Sequence, residues 1–151
     1  MRTVRLTKCV EIVRLWPFFV QGLTFVSQYL RYTLPLETYR QILQHAVKQP
    51  NFWVGVCFED DGETPICFSC AHETTPMFSN QREFEVSMLY HQPGRHDALI
   101  ALQQAFDKFC RKENVTRYYV TTRGDSSNVI RCFRSARYGL KRAYTVYKKE
   151  F

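Results

Sequence analysis

Three observations predict an α+β fold with a mixed β-sheet. Apolar residues switch along the chain between period-two alternation and three-and-four spacing. The segments so defined run β-α-α-β-β-β-α-β-α-β, with strands and helices mixed rather than strictly alternating. The 151 residues contain no repeat, low-complexity tract or linker, so residues 1–151 read as one domain with room for a real core.

Thr3 to Cys9 is the first expected strand. Val10 to about Tyr32 is apolar with helical spacing but contains Pro17 and Gly22, which predicts a kinked helix or two short ones. Pro35 opens a second helix, closed by Pro50, with Leu36, Tyr39, Ile42, Leu43, Ala46 and Val47 as one buried stripe. Asn51 to Phe58 alternates as a strand, Asp60-Asp61-Gly62 is a hairpin-like turn, and Pro65 to Glu73 is the return strand. After a loop with Pro76, Ser79 and Asn80, Glu83 to Tyr90 is the third strand of this meander. Asp97 to Arg111 is helical, with Leu99, Leu102, Phe106 and Phe109 on one side. Thr116 to Thr122 is rich in Tyr, Val and Thr and reads as a strand. Asn128 to Tyr138 is a helix stopped by Gly139, and Leu140 to Lys149 is the last strand.

No run of eighteen apolar residues occurs, so no membrane span is expected. Glu11 and Arg14 interrupt the first apolar stretch and argue against a cleaved signal peptide. Six irregularly placed cysteines do not form a disulfide framework, which favours a reducing, cytoplasmic setting. The net charge of +7 suits polyanionic partners: a phosphorylated cofactor, nucleic acid or an acidic protein face, with plain solubility as the alternative.

Two segments carry the chemistry. Leu89-Tyr90-His91-Gln92-Pro93-Gly94-Arg95-His96 leads from a strand through a turn into a helix, whose N-terminus offers free amides and partial positive charge to phosphate. Asn128 is followed by Ser135 at the seventh position and by Gly139-Leu140 at the eleventh and twelfth. This pair of elements resembles the coenzyme-A half of the GNAT superfamily of N-acyltransferases. There the first motif is Arg/Gln-x-x-Gly-x-Gly/Ala and the second is Asn, a helix with a Tyr, then Gly-Phe. Here Gly94, Asn128, Gly139 and Leu140 match. His91 stands at the Arg/Gln place, His96 at the second Gly/Ala place, and Ser135 at the Tyr place.

The resemblance implies a three-layer α/β/α arrangement with a mostly antiparallel central sheet. It implies acetyl-coenzyme A as cofactor and an amine as acceptor, on a protein or a small molecule. Met88, Leu89 and Tyr90 would offer backbone to the pantetheine arm. Gly94, Arg95, His96 and Ala98 would offer amides to the diphosphate, with Arg95 adding a countercharge, and Asn128 would contact the arm or order its helix. Glu85 is the candidate base, on a strand face read as shared with Ser87 and Leu89 and opposite to Val86, Met88 and Tyr90. Glu83 shares that face. The leaving-group acid would be Ser135 or, one helical turn on, Tyr138, with Tyr119 and Tyr144 as further candidates.

Cys67-Phe-Ser-Cys70 with Cys57 and His72 has the composition of a metal site. Zinc-binding C-x-x-C pairs sit in a knuckle turn, however, and residues three apart in a strand face opposite sides, so no metal is expected. Trp16, Phe18, Phe19, Trp53 and Phe78 are candidates for an acceptor cleft or for core. Arg131, Arg134 and Arg137 follow one side of the closing helix, toward an adenosine phosphate, an RNA backbone or water. Asp97, a carboxylate at the mouth of a phosphate site, and the absent Tyr support an alternative: a catalytically impaired GNAT-fold module that binds a protein or RNA partner. The oligomeric state is open, a dimer included.

Overall fold

The computed structural model describes residues 1–30, 35–74 and 80–120, with residues 26–30 described by backbone alone. Its elements are β1 (Arg2–Arg5), α1 (Cys9–Leu30), α2 (Leu36–Ala46), β2 (Phe52–Phe58), β3 (Pro65–Thr74), β4 (Glu83–His91), α3 (His96–Lys112) and β5 (Arg117–Val120). The expected closing helix and last strand lie outside the described residues.

The first strand stops at Arg5, earlier than the expected Cys9, because Glu11 organises a helix start. Its carboxylate accepts the backbone N–H groups of Thr7 and Lys8, both at 2.9 Å, half of a reciprocal capping arrangement. From Cys9 the chain is one continuous helix through Pro17, which lies on the exposed side where its missing N–H is tolerated. Ile12, Leu15, Phe18, Phe19 and Leu23 form the buried face at helical spacing. In α2 the buried stripe is narrower than expected. Leu43, Ala46 and Val47 are buried but Ile42 is half exposed, because α2 lies at the periphery and meets α1 along one edge only.

The sheet order is β1-β2-β3-β4-β5, antiparallel at every junction except β4–β5, which is parallel and spanned by α3. This is the mixed, mostly antiparallel sheet of an α+β fold. The β2–β3 hairpin turns at Asp60–Gly62, with Gly62 at φ +71° and the Asp61 carboxylate accepting from Glu63 N, Thr64 N and Thr64 Oγ1.

Side chains on the two sheet faces build separate cores. On one face Trp53, Phe84 and Val86 pack under Leu99, Leu102 and Phe106 of α3. On the other, Val54, Val56, Phe68 and Cys70 pack under Phe18 and Phe19 of α1 and Leu43 of α2. Each fully buried Leu or Phe contributes about 1.5–3 kcal/mol of burial. Cys67 belongs to the first core and Cys70 to the second, so the C-x-x-C pair is split across the sheet.

One irregularity positions the site. Cys70 pairs with Met88 and the next residue, Ala71, with Val86, so Ser87 is an extra residue in β4, a β-bulge. Its Oγ donates to the Cys70 carbonyl at 3.4 Å. The bulge reverses the alternation of β4. Phe84 and Val86 face α3, but beyond Ser87 it is Leu89 that packs on the α3 side, while Met88 and Tyr90 pack on the α1 side.

Candidate active site

Glu85 lies opposite Val86 as expected, but the bulge reverses its expected relation to Met88, Leu89 and Tyr90. Uninterrupted alternation would put Glu85 with Leu89 and opposite Met88 and Tyr90. In the structure Glu85 lies opposite Val86, on the α1 face, and therefore shares that face with Met88 and Tyr90. Its cross-strand partner is His72 on β3 and, on the other side, Tyr119 on β5. The neighbours of Tyr119, Tyr118 and Val120, pack into the α3 core, which leaves Tyr119 on the α1 face. His72, Glu85 and Tyr119 thus form a row across three strands, with directly opposed Cβ atoms about 5 Å apart. Three ionisable side chains in one row, each half-buried, can move a proton to or from a bound amine.

Glu83 shares the α1 face but is committed to structure. It is buried and its Oε1 accepts Arg117 Nε at 2.9 Å. The nearby Arg82 ties the bottom of the sheet together, bonding Glu73 at 2.9 Å and the carbonyls of Glu113 and Pro50, both at 3.1 Å.

Tyr90 sits at the other end of β4, its ring among Phe18, Phe25 and Phe68 at centroid distances of 5.6, 6.0 and 5.7 Å. α1 crosses here through Gly22, which has room for no side chain: a Cβ would stand 2.4 Å from Phe68 Cε1 and 2.9 Å from Tyr90 Cγ. β5 pairs with Glu83–Val86, and no described residue pairs with the Met88–Tyr90 backbone on that edge.

The turn after β4 is set by Pro93-Gly94. Gly94 has φ +79°, and the Arg95 amide donates to the Gln92 carbonyl at 3.1 Å. Gln92 N donates to Ile66 O at 2.9 Å, which anchors the turn to β3. Space above Gly94 is open, with nothing within 4 Å of a built Cβ. Ala98 is fully buried in the first turn of α3, and His96 is exposed beside it. The His91 and His96 rings meet edge to face at 5.1 Å, and His91 Nδ1–H donates to the Gln92 carbonyl at 2.8 Å.

The charge on this loop is already engaged. Arg95 forms a two-pronged pair with Asp97, Nε to Oδ1 at 3.1 Å and Nη2 to Oδ2 at 3.2 Å, and its Nη1 pairs with Glu59. The guanidinium beside Asp97, helped by the backbone N–H groups of Ala98 and Asp97, holds the Asp97 carboxyl below its usual range. Glu59 follows β2 and is remote in sequence; nothing in its surroundings marked it as a partner of the loop.

The remaining candidates divide. Phe18, Phe19 and Trp53 are buried, Trp53 on the α3 side against Phe106, so these three are core and not cleft. Trp16 is half-buried. Burial pushes the Cys67 and Cys70 thiols up, Cys70 to about 12, so neither is a ready nucleophile at neutral pH. Among the described residues no three His, Cys, Asp or Glu side chains converge as metal ligands, and no helix is long and apolar enough to cross a membrane. Asn128, Ser135, Tyr138, Tyr144, Phe78 and the Arg131–Arg137 set lie outside the described residues.

No family model and no curated protein matches this sequence. Solved structures do. A probable acetyltransferase superposes with a TM-score of 0.81 at 17% identity, covering 100% of this chain and 98% of its own. An aminoglycoside acetyltransferase from an uncultured soil metagenomic sample gives 0.74 at 14% identity over 99% and 95%. A ribosomal-protein-alanine N-acetyltransferase from Brucella melitensis biovar Abortus 2308 gives 0.70 at 10% identity, with full coverage of both chains. At such identities the likeness defines architecture, and that architecture is the GNAT acetyltransferase fold.

Proposed function

We propose that this protein is an N-acetyltransferase that moves an acetyl group from acetyl-coenzyme A to an amine acceptor. The observation that carries the reading is the placement of Glu85 on the α1 face, two residues before the β4 bulge, in a chain that matches acetyltransferases end to end. Two features of the described residues support a coenzyme site. The open space at Gly94 and the N-terminal end of α3, where the Arg95 side chain makes no cap hydrogen bond, suit a diphosphate. Met88, Leu89 and Tyr90 are the proposed backbone partners of the pantetheine arm, and Gly94, Arg95, His96 and Ala98 those of the diphosphate. Asn128 is assigned to the arm or to its helix start. When bound, acetyl-coenzyme A supplies the acetyl group as an activated thioester.

The protein's own part is proton handling. An amine is mostly protonated at neutral pH, so Glu85 takes a proton from it, directly or through one water, and so frees its lone pair. His72 and Tyr119 flank Glu85 and give the proton an onward route. The leaving thiolate needs an acid, for which Ser135 and Tyr138 are the proposed candidates, with Tyr119 the nearest described phenol to Glu85. Two of the solved structures named above are an aminoglycoside acetyltransferase and a ribosomal-protein-alanine N-acetyltransferase, so the acceptor here is assigned only as an amine on a small molecule or a protein. A reducing, cytoplasmic setting fits the free thiols of Cys57, Cys67 and Cys70.

Calorimetric titration with acetyl-coenzyme A tests the reading. Micromolar binding, about −8 kcal/mol, that is abolished in a folded Gly94→Glu variant is the expected result. No binding at millimolar ligand by the folded wild type rejects it. That outcome would favour a second reading, a GNAT-fold module without catalysis that binds a protein or RNA partner, for which the carboxylate capture of Arg95 speaks. An RNA affinity that falls steeply with salt would identify that partner class.

A further inference from the structure

All three guanidinium nitrogens of Arg95 meet carboxylate oxygens. Nε and Nη2 hold the two oxygens of Asp97, and Nη1 holds Glu59. A two-oxygen grip on parallel N–H groups is the way a guanidinium takes a phosphate. Asp97 belongs to the first turn of α3 and also draws on the amides of Ala98 and Asp97, the groups a diphosphate would use. Glu59 is fixed by the hairpin: its N–H donates to Thr64 O at 2.9 Å and its carbonyl accepts Gly62 N–H at 3.0 Å. Asp60, the other acid nearby, is occupied by the N-terminal amine. One cation therefore faces two carboxylates, and the loop as built carries net negative charge.

We infer that Asp97 and Glu59 are an internal competitor for the diphosphate subsite and set its ligand affinity. An incoming diphosphate takes Arg95 and the first-turn amides from Asp97, and the displaced carboxylate turns outward to solvent. Asp97 is half exposed, which leaves it room to do so. This inference rests on the coenzyme reading of the loop and adds the residues that oppose binding there. Its sign is unusual: removing side chains beside the ligand strengthens binding.

The test is calorimetric titration of coenzyme A at low salt into wild type, Asp97→Asn, Glu59→Gln and Arg95→Gln, each checked for folding by circular dichroism. Removing one negative charge within about 4 Å of a diphosphate on a solvated loop is worth about fivefold to tenfold. Asp97→Asn and Glu59→Gln should each tighten binding by that factor, with the gain shrinking in 1 M salt, and Arg95→Gln should weaken it. Should wild type bind while both carboxylate variants bind equally or more weakly, the competitor is overturned and the coenzyme reading stands. If none of the four folded proteins binds, the coenzyme reading itself fails.

Discussion

Replacing Gly22 by Ala tests the packing that brings α1 onto β4. In an open helix interior this change stabilises by about 1 kcal/mol, through propensity alone. At Gly22 the new Cβ would stand 2.4 and 2.6 Å from Phe68 Cε1 and Cζ and 2.9 Å from Tyr90 Cγ. Phe68 is fully buried and held by Phe18, Phe19 and Tyr90 at centroid distances of 5.7, 4.7 and 5.7 Å, so the ring has nowhere to retreat. Overpacking of this kind costs about 1–3 kcal/mol, and three contacts under 3 Å place the site at the upper end. The expected net effect is a loss of about 1–2 kcal/mol, a fall in Tm of roughly 3–6 °C for a chain of this size. Urea denaturation measures it. Combining Gly22→Ala with Phe68→Leu, which makes room, should give a loss about 1 kcal/mol smaller than the sum of the single changes. A Gly22→Ala protein as stable as wild type, or more so, would refute the close crossing.

Three further outcomes follow from the geometry. Glu85→Gln should lower the rate of acetyl-coenzyme A consumption across an amine panel by about 10²–10⁴-fold while sparing coenzyme affinity; equal loss of both, or of neither, argues against a base at Glu85. Glu11→Ala removes the acceptor of the Thr7 and Lys8 amides and should cost about 1 kcal/mol, read from the denaturation midpoint, with an unchanged midpoint showing that these bonds do no net work. Asp61 accepts hydrogen bonds from Thr64 first and Glu63 second, which hold its carboxyl below 3.8. Because the folded value is depressed, its contribution to stability is present above about pH 4 and is lost as pH falls through the folded value; an NMR titration midpoint at or above 3.8 contradicts the turn geometry.

The sequence exposed what depends on local periodicity and hid what depends on insertion or distance. The apolar side of α3 was legible because Leu99, Leu102, Phe106 and Phe109 repeat at helical spacing and one core absorbs them all. The hairpin at Asp60–Gly62 was legible because turn chemistry is local. Ser87 was not, since a bulge adds one residue without changing composition, and its effect is to swap the face of every residue beyond it. Met88 and Tyr90 share the face of Glu85, and Leu89 does not, for that reason alone. The start of α1 was hidden because Lys8 is no usual N-cap, and the cap comes from Glu11 reaching back. The Glu59–Arg95 pair joins residues that only the tertiary fold brings together.

The strand order also sets a hierarchy of chain-closure costs. β2, β3 and β4 are consecutive and adjacent, and their first hairpin closes over residues 59–64. β1 reaches β2 only across both helices α1 and α2, a loop several times longer, at an added entropy cost of about 2 kcal/mol. β5 reaches β4 only across α3. The meander is thus the part of the sheet that holds together most cheaply, and it already contains His72 and Glu85. Tyr119 arrives on the parallel strand β5, so the proton-handling row is divided between the most locally connected part of the sheet and a strand whose attachment depends on the docking of a whole helix.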